Sequence, residues 1–194
     1  MKHMKSLRLT QPYALILVGL PGSGKTFFGE KFAETFNAPF INAGLIAAHT
    51  PSPEDTQAIT DQFLGEITRT QQTFIIEGDA SSRVRRTELA RSLRRAGYQP
   101  LFVWVQTDEP TAYSRSRKQM SDEEYDHRQR LFSPPHPTER PLVLSGKHTY
   151  ASQARVVLNF LAKHAGRSEP PLEPPKRPTL KPVGQSGPRS ISVQ

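Results

Sequence analysis

Short apolar runs separated by longer stretches of mixed polarity set the rhythm of this chain. Runs at Ala14–Gly19, Phe40–Asn42, Phe74–Glu77, Leu101–Gln106 and Leu142–Ser145 have the length and composition of strands. All but the second are nearly continuously apolar, which predicts strands covered on both faces, as in a parallel sheet. Between them the apolar period becomes helical. Phe28, Phe32 and Phe36 recur every four residues; Leu89, Leu93 and Ala96 form a similar stripe before a stop at Gly97. Ala154, Val157, Leu158 and Leu161 stripe a final helix. Ser52 with Asp55 three positions on resembles a capping box opening a helix to about Thr70. Ser121, followed by Asp122, Glu123 and Glu124, marks another start and splits Pro110–Arg130 into two pieces. Alternation of this kind predicts an α/β domain over residues 12–166.

The flanks differ. Residues 1–11 form a basic extension carrying Lys2, Lys5 and Arg8. Residues 167–194 hold seven of the 18 prolines, with five basic and two acidic residues. Too few apolar side chains are left there to offset the entropy of ordering, so a disordered basic tail is expected, with a docking peptide as the alternative. The net charge of +8 fits anionic partners, nucleotides or nucleic acid, without choosing between them. The absence of cysteine excludes a disulfide scaffold, a thiolate zinc site and a cysteine nucleophile. The longest apolar run, Ala14–Leu20, is far short of the roughly 20 residues that cross a bilayer. It leads into a glycine-lysine loop and not a cleavage site, so a soluble cytoplasmic protein without a membrane partner is expected.

That loop carries the chemistry. Gly19-Leu20-Pro21-Gly22-Ser23-Gly24-Lys25-Thr26 matches GxxxxGK[ST] at every fixed position. Glycines let successive N–H groups converge on one anion, and the following helix turns its positive end toward the same phosphates. Lys25 is placed to reach the β- and γ-phosphates, and the Thr26 hydroxyl to ligate Mg²⁺. Gly19, Pro21, Gly22, Ser23, Gly24, Lys25, Thr26 and the adjoining Phe27 are the expected ATP-binding set. A glycine turn without a ligand is the bland alternative; the preceding strand and following amphipathic helix argue against it.

With this loop near its N-terminus, and with Arg115 and Arg117 after the fourth strand, the chain resembles the small P-loop kinases. Polynucleotide-kinase-like and zeta-toxin-like ATP-binding proteins belong to that group. The resemblance spans residues 12 to about 165 and implies a three-layer P-loop NTPase fold. It implies a five-stranded parallel sheet ordered 2-3-1-4-5, helices on both faces and a small arginine-containing lid. It also implies ATP and Mg²⁺ as cofactors, and Glu77 as the acid that holds the metal ion through water. Asp79 would project nearer the acceptor; either acid is otherwise a helix cap or a salt-bridge partner. Arg115 and Arg117 would bring positive charge to the transferred phosphoryl, Arg115 foremost. Arg83 and Arg86 would meet a substrate anion, or else lie on a solvated face. The loop Ser145–Thr149, with Lys147, would pass beside the adenine. His148 reads as structural or base-stacking, and the other histidines lack metal spacing. One departure stands out: such kinases place Asp just after the second strand, whereas this chain has Asn42-Ala43-Gly44.

The leading expectation is an ATP-dependent phosphotransferase acting on a small-molecule or nucleic-acid-end hydroxyl. The alternative is an ATP-binding regulatory or adaptor protein with little turnover, motivated by Asn42 and the tail. A nucleic-acid-binding ATPase comes third, because no recognition motif supports it. The acceptor itself has no readable code, and a monomer is expected.

Overall fold

The computed structural model describes Leu7, residues 9–78 and residues 80–164. Asp79 and the proline-rich segment 167–194 lie outside the described residues. Five strands, β1 (Tyr13–Val18), β2 (Phe40–Asn42), β3 (Phe74–Glu77), β4 (Gln99–Gln106) and β5 (Leu142–Ser145), pair in the order β2-β3-β1-β4-β5. Every pairing is parallel, and the order is the expected one. The connecting helices are α1 (Lys25–Phe36), α2 (Ala43–Ala47), α3 (Pro53–Thr70), α4 (Arg83–Arg95), α5 (Glu109–Ser116), α6 (Asp122–Leu131) and α7 (Tyr150–His164). A short 3₁₀ turn, Pro137–Glu139, precedes β5.

Alternation along β1 divides the core in two. Leu15 and Leu17 pack with Phe28 and Phe32 of α1 and with Val157 and Leu161 of α7. Ala14, Ile16 and Val18 point the other way, into a cluster with Phe74, Leu93 and Tyr98. The phenylalanine stripe of α1 stacks on itself, with ring centroids 5.4 Å apart for Phe28–Phe32 and 4.6 Å for Phe32–Phe36. Each such buried ring contributes about 1.5–3 kcal/mol. From the N-terminal extension, Leu7 and Leu9 pack against the first cluster.

Four local features differ from the sequence reading. β4 begins at Gln99, ahead of Leu101, because the Gln99 N–H donates to Pro12 O at 2.9 Å and extends the ladder with β1. β5 is an edge strand covered on one face: Leu144 is buried while Val143 is 47% exposed. The short helix α2 was not anticipated. It forms because the Asn42 side-chain oxygen accepts from the N–H groups of Gly44 (3.0 Å) and Leu45 (3.2 Å). α3 spans the expected residues, yet its cap is not a full capping box. Ser52 Oγ accepts from the Asp55 N–H at 3.1 Å and donates to the Asp55 carboxylate at 2.7 Å. Among the described residues no helix is long and apolar enough to cross a membrane.

Candidate active site

The loop between β1 and α1 folds as its glycines require. Gly22 has φ +74°, and a Cβ there would lie 2.0 Å from the Ala112 carbonyl oxygen, so only glycine lets α5 seat against the loop. Gly24, at φ +100°, caps α1 without any side-chain bond. The first-turn N–H groups of α1 therefore face the loop uncapped, which suits an anion. Lys25 Nζ donates to Leu20 O at 2.8 Å and stands 3.8 Å from Glu77 Oε1. Thr26 Oγ1 donates to the same Glu77 oxygen at 3.1 Å. Burial pushes the Lys25 ammonium below the usual lysine range; the Glu77 carboxylate opposes this and the charge of Arg128 adds to it. Three buried side-chain atoms lack a partner among the described residues: Tyr125 Oη on α6 and, at this loop, Glu77 Oε2 and Ser23 Oγ. A hydroxyl beside an unpartnered carboxylate oxygen is a hard-cation donor set, and the lysine with the helix N–H groups matches phosphate oxygens. The residues present thus fit a magnesium–nucleotide pair.

A second group gathers where β4 and β5 end. The Gly146 N–H donates to Gln106 O at 2.6 Å, and Thr107 Oγ1 donates to Ser23 O at 3.1 Å, joining the loop 145–149 to the phosphate loop. Lys147 Nζ forms an ion pair with Asp108. The Lys147 hydrogen bond first, then the Thr111 hydroxyl and N–H, hold the Asp108 carboxyl well below the usual range. Arg115 Nη1 donates to Gly146 O at 3.1 Å. A cavity of about 650 Å³ opens here, lined by Leu20, Trp104, Thr107, Phe132 and Lys147 among others. Phe27, on the first turn of α1, is 56% exposed.

The expected arginines separate into different roles. Arg115 rests on the 145–149 loop, and the Arg117 guanidinium lies 5.6 Å from the Tyr113 ring centroid. Arg128 on α6 was overlooked, although its charge reaches Lys25. Its bond to Glu124 at 2.7 Å, one turn away, makes it read as an ordinary surface pair. Arg86 corrects the reading of a substrate-facing arginine. Its guanidinium is fully buried and bonds Glu139 and the carbonyls of Ala80, Ser81, Ser133 and Pro134. Arg83 donates to Thr138 Oγ1 at 3.2 Å. Asn42 is occupied as the α2 cap.

A separate cavity of about 610 Å³ opens beside the end of β3. Ala43, Ile76 and Gly78 place its mouth at the ends of β2 and β3, and α3 and α4 form its walls. Chain neighbours of the Lys25–Thr26–Glu77 group thus line two concave spaces, Leu20 and Ser23 the one beside β4 and β5, Ile76 and Gly78 the other.

A parallel sheet of this order, a phosphate loop after its central strand and helices α5 and α6 after β4 define a P-loop protein of the small-kinase class. A family model described as an AAA domain matches residues 15–131, and the chain belongs to that family. It is 31% identical over 156 residues to a shikimate kinase of Symbiobacterium thermophilum, covering 73% of this chain and 83% of that protein. A gluconokinase from Sinorhizobium meliloti shares the fold at a TM-score of 0.59 and 20% identity, covering 79% of this chain and 94% of its own. A sugar kinase from Janibacter sp. aligns at 0.62 and 18%, over 78% and 95%. Chaetomium thermophilum Kti12, in complex with ADP-AlF3, aligns at 0.57 and 18%, over 79% and 100%.

Proposed function

We propose that this protein is an ATP-dependent phosphotransferase that moves the γ-phosphate to an acceptor hydroxyl. The observation that carries the reading is a pair of cavities adjoining the Lys25–Thr26–Glu77 group along the chain, one lined by Leu20 and Ser23 and the other by Ile76 and Gly78. A simple nucleotide hydrolase needs only one. Gly19–Thr26 would hold the phosphates, Lys147 and Arg115 would border the base, and Thr26 and Glu77 would hold Mg²⁺. Bound Mg²⁺ supplies charge neutralisation for the phosphate oxygens. Arg128 would approach the transferred group from α6 and Arg117 from the end of α5, since phosphoryl transfer spreads charge over equatorial oxygens. Glu77 or Asp79 would orient the acceptor hydroxyl. The shikimate kinase relationship supports the reaction class. The test is acceptor-stimulated ADP release by the purified chain; stimulation that disappears in Lys25→Ala is expected.

The second reading, an ATP-binding regulatory protein, draws on Asn42. At the end of β2 the side chain standing where such kinases carry an acceptor-facing Asp is consumed in capping α2. ATP binding without turnover on any acceptor would favour it.

A further inference from the structure

The chain has 26 basic against 18 acidic residues, so an average surface on it is basic. The acceptor-side cavity is not. Among the described residues its ionisable lining is Asp61 and Glu88 against Arg85. Arg85 Nη1 lies 3.8 Å from Glu88 Oε2, one turn along α4, so those two charges offset each other and Asp61 sets the net sign. Asp61 Oδ1 accepts from the Gln57 amide at 2.9 Å, a neutral partner that leaves its charge in place. Apart from Gln57, the remaining polar wall is hydroxyl-bearing: Thr50, Ser52, Thr56, Thr60 and Ser92. Thr50 and Thr56 bond each other at 2.6 Å through their hydroxyls. Leu64, Ile76 and Leu89 supply an apolar floor.

We propose that the acceptor is an uncharged polyhydroxylated ring compound, a neutral sugar or nucleoside, and neither a carboxylate nor a nucleic-acid end. The assignment rests on the phosphotransferase reading and deepens it. A ring face settles on the apolar floor, and the hydroxyls exchange bonds with the threonine wall and the two carboxylates. Carboxylates accept hydroxyl protons well and repel anions. An acidic acceptor, or an oligonucleotide with a phosphate at each residue, would bring like charge against Asp61. Volume agrees: about 610 Å³ falls within the range that encloses small-molecule ligands. In the reaction the acceptor oxygen bonds the γ-phosphorus while the bond from that phosphorus to the bridging oxygen breaks. The electron pair stays on ADP, and the hydroxyl proton ends in water.

The test measures ADP release by the full chain with ATP and Mg²⁺ over two panels. The neutral panel is glucose, myo-inositol, adenosine and uridine; the anionic panel is gluconate, shikimate and a 5′-hydroxyl oligonucleotide. At least one neutral compound should stimulate release tenfold or more, with none of the anionic ones matching it. Asp61→Lys, an exposed position on α3, should shift the anionic-to-neutral ratio of kcat/KM by tenfold or more with the KM for ATP unchanged. Glu88→Gln should move the ratio in the same direction by less. An anionic best acceptor, or an unmoved ratio in Asp61→Lys, overturns the acceptor assignment alone. Tight ATP binding with no stimulation by either panel overturns the phosphotransferase reading and the assignment with it.

Discussion

Arg86 offers the sharpest quantitative test of how this fold is held together. Its Nε meets Glu139 Oε1 at 2.7 Å and its Nη2 meets Oε2 at 3.0 Å, a bidentate pair. Nη1 donates to the carbonyls of Ala80 (3.0 Å), Ser81 (3.3 Å) and Ser133 (2.8 Å). The two side chains are 0% and 6% exposed. One guanidinium thus ties the segment after α6 to the loop that opens α4. Arg86→Met leaves a buried carboxylate and several buried carbonyls without their donor. Removing one member of a buried pair costs about 3–5 kcal/mol, a large share of the roughly 5–15 kcal/mol that stabilises a domain. Arg86→Met with Glu139→Leu removes both charges and should recover part of the loss. Urea unfolding should report a fall in midpoint at nearly constant slope. Burial by itself would raise the Glu139 carboxyl, but the Arg86 hydrogen bonds, the His136 N–H and the charges of Arg86 and Arg83 outweigh it and depress it. A depressed carboxyl contributes stability above its unfolded pKa of about 4.3 and loses it as pH falls through the folded value. The gap between wild type and Arg86→Met should therefore narrow in acid. A cost below about 1 kcal/mol for Arg86→Met, set against the ~3 kcal/mol expected, would refute the reasoning.

Further outcomes follow from the phosphate loop and α6. Lys25 titrates below the usual lysine range, and a polyphosphate favours its charged form. As pH rises toward the ordinary lysine range, ATP binding should therefore take up a growing number of protons, read by calorimetry in two buffers of different ionisation enthalpy. Gly22→Ala should abolish ATP binding and lower the thermal midpoint, because its Cβ would strike the Ala112 carbonyl; retained affinity would contradict the close seating of α5. Arg128→Ala should reduce kcat on the order of 10³-fold with a small change in the KM for ATP. Equal rates in Arg128→Ala and wild type would exclude the proposed role. Glu77→Gln should weaken Mg²⁺-dependent more than Mg²⁺-free nucleotide binding, measurable by titration with and without the ion.

The sheet and its loop were legible because they are local. The run before Gly19, the glycine spacing and the phenylalanine stripe each lie within one turn or strand, and the resemblance they carry supplied the strand order. What was hidden depends on partners far along the chain. Arg86 sits among Arg83, Arg85, Arg91, Arg94 and Arg95 and looks like part of a solvated face. Its partner Glu139 is 53 residues away, and nothing near either residue marks the pairing. Arg128 was masked by Glu124 in the same helix, while the influence of its charge on Lys25 arises from folding. The open face of β5 follows from its place at the sheet edge, which its own apolar letters do not encode. Asn42 was noticed as a departure, but its capping role appears only once α2 is seen.

The contact between Gly22 and Ala112 has a mechanical consequence. Because the loop backbone and α5 meet with no room for a methyl group, they behave as one stiff joint. Any half-ångström adjustment of the loop drags α5 with it, and through Arg115 and Lys147 the strip from Gly146 onward moves too. The turn that follows shares in this, because the N–H groups of Gln119 (2.8 Å) and Met120 (3.1 Å) both donate to Ser116 O at the end of α5.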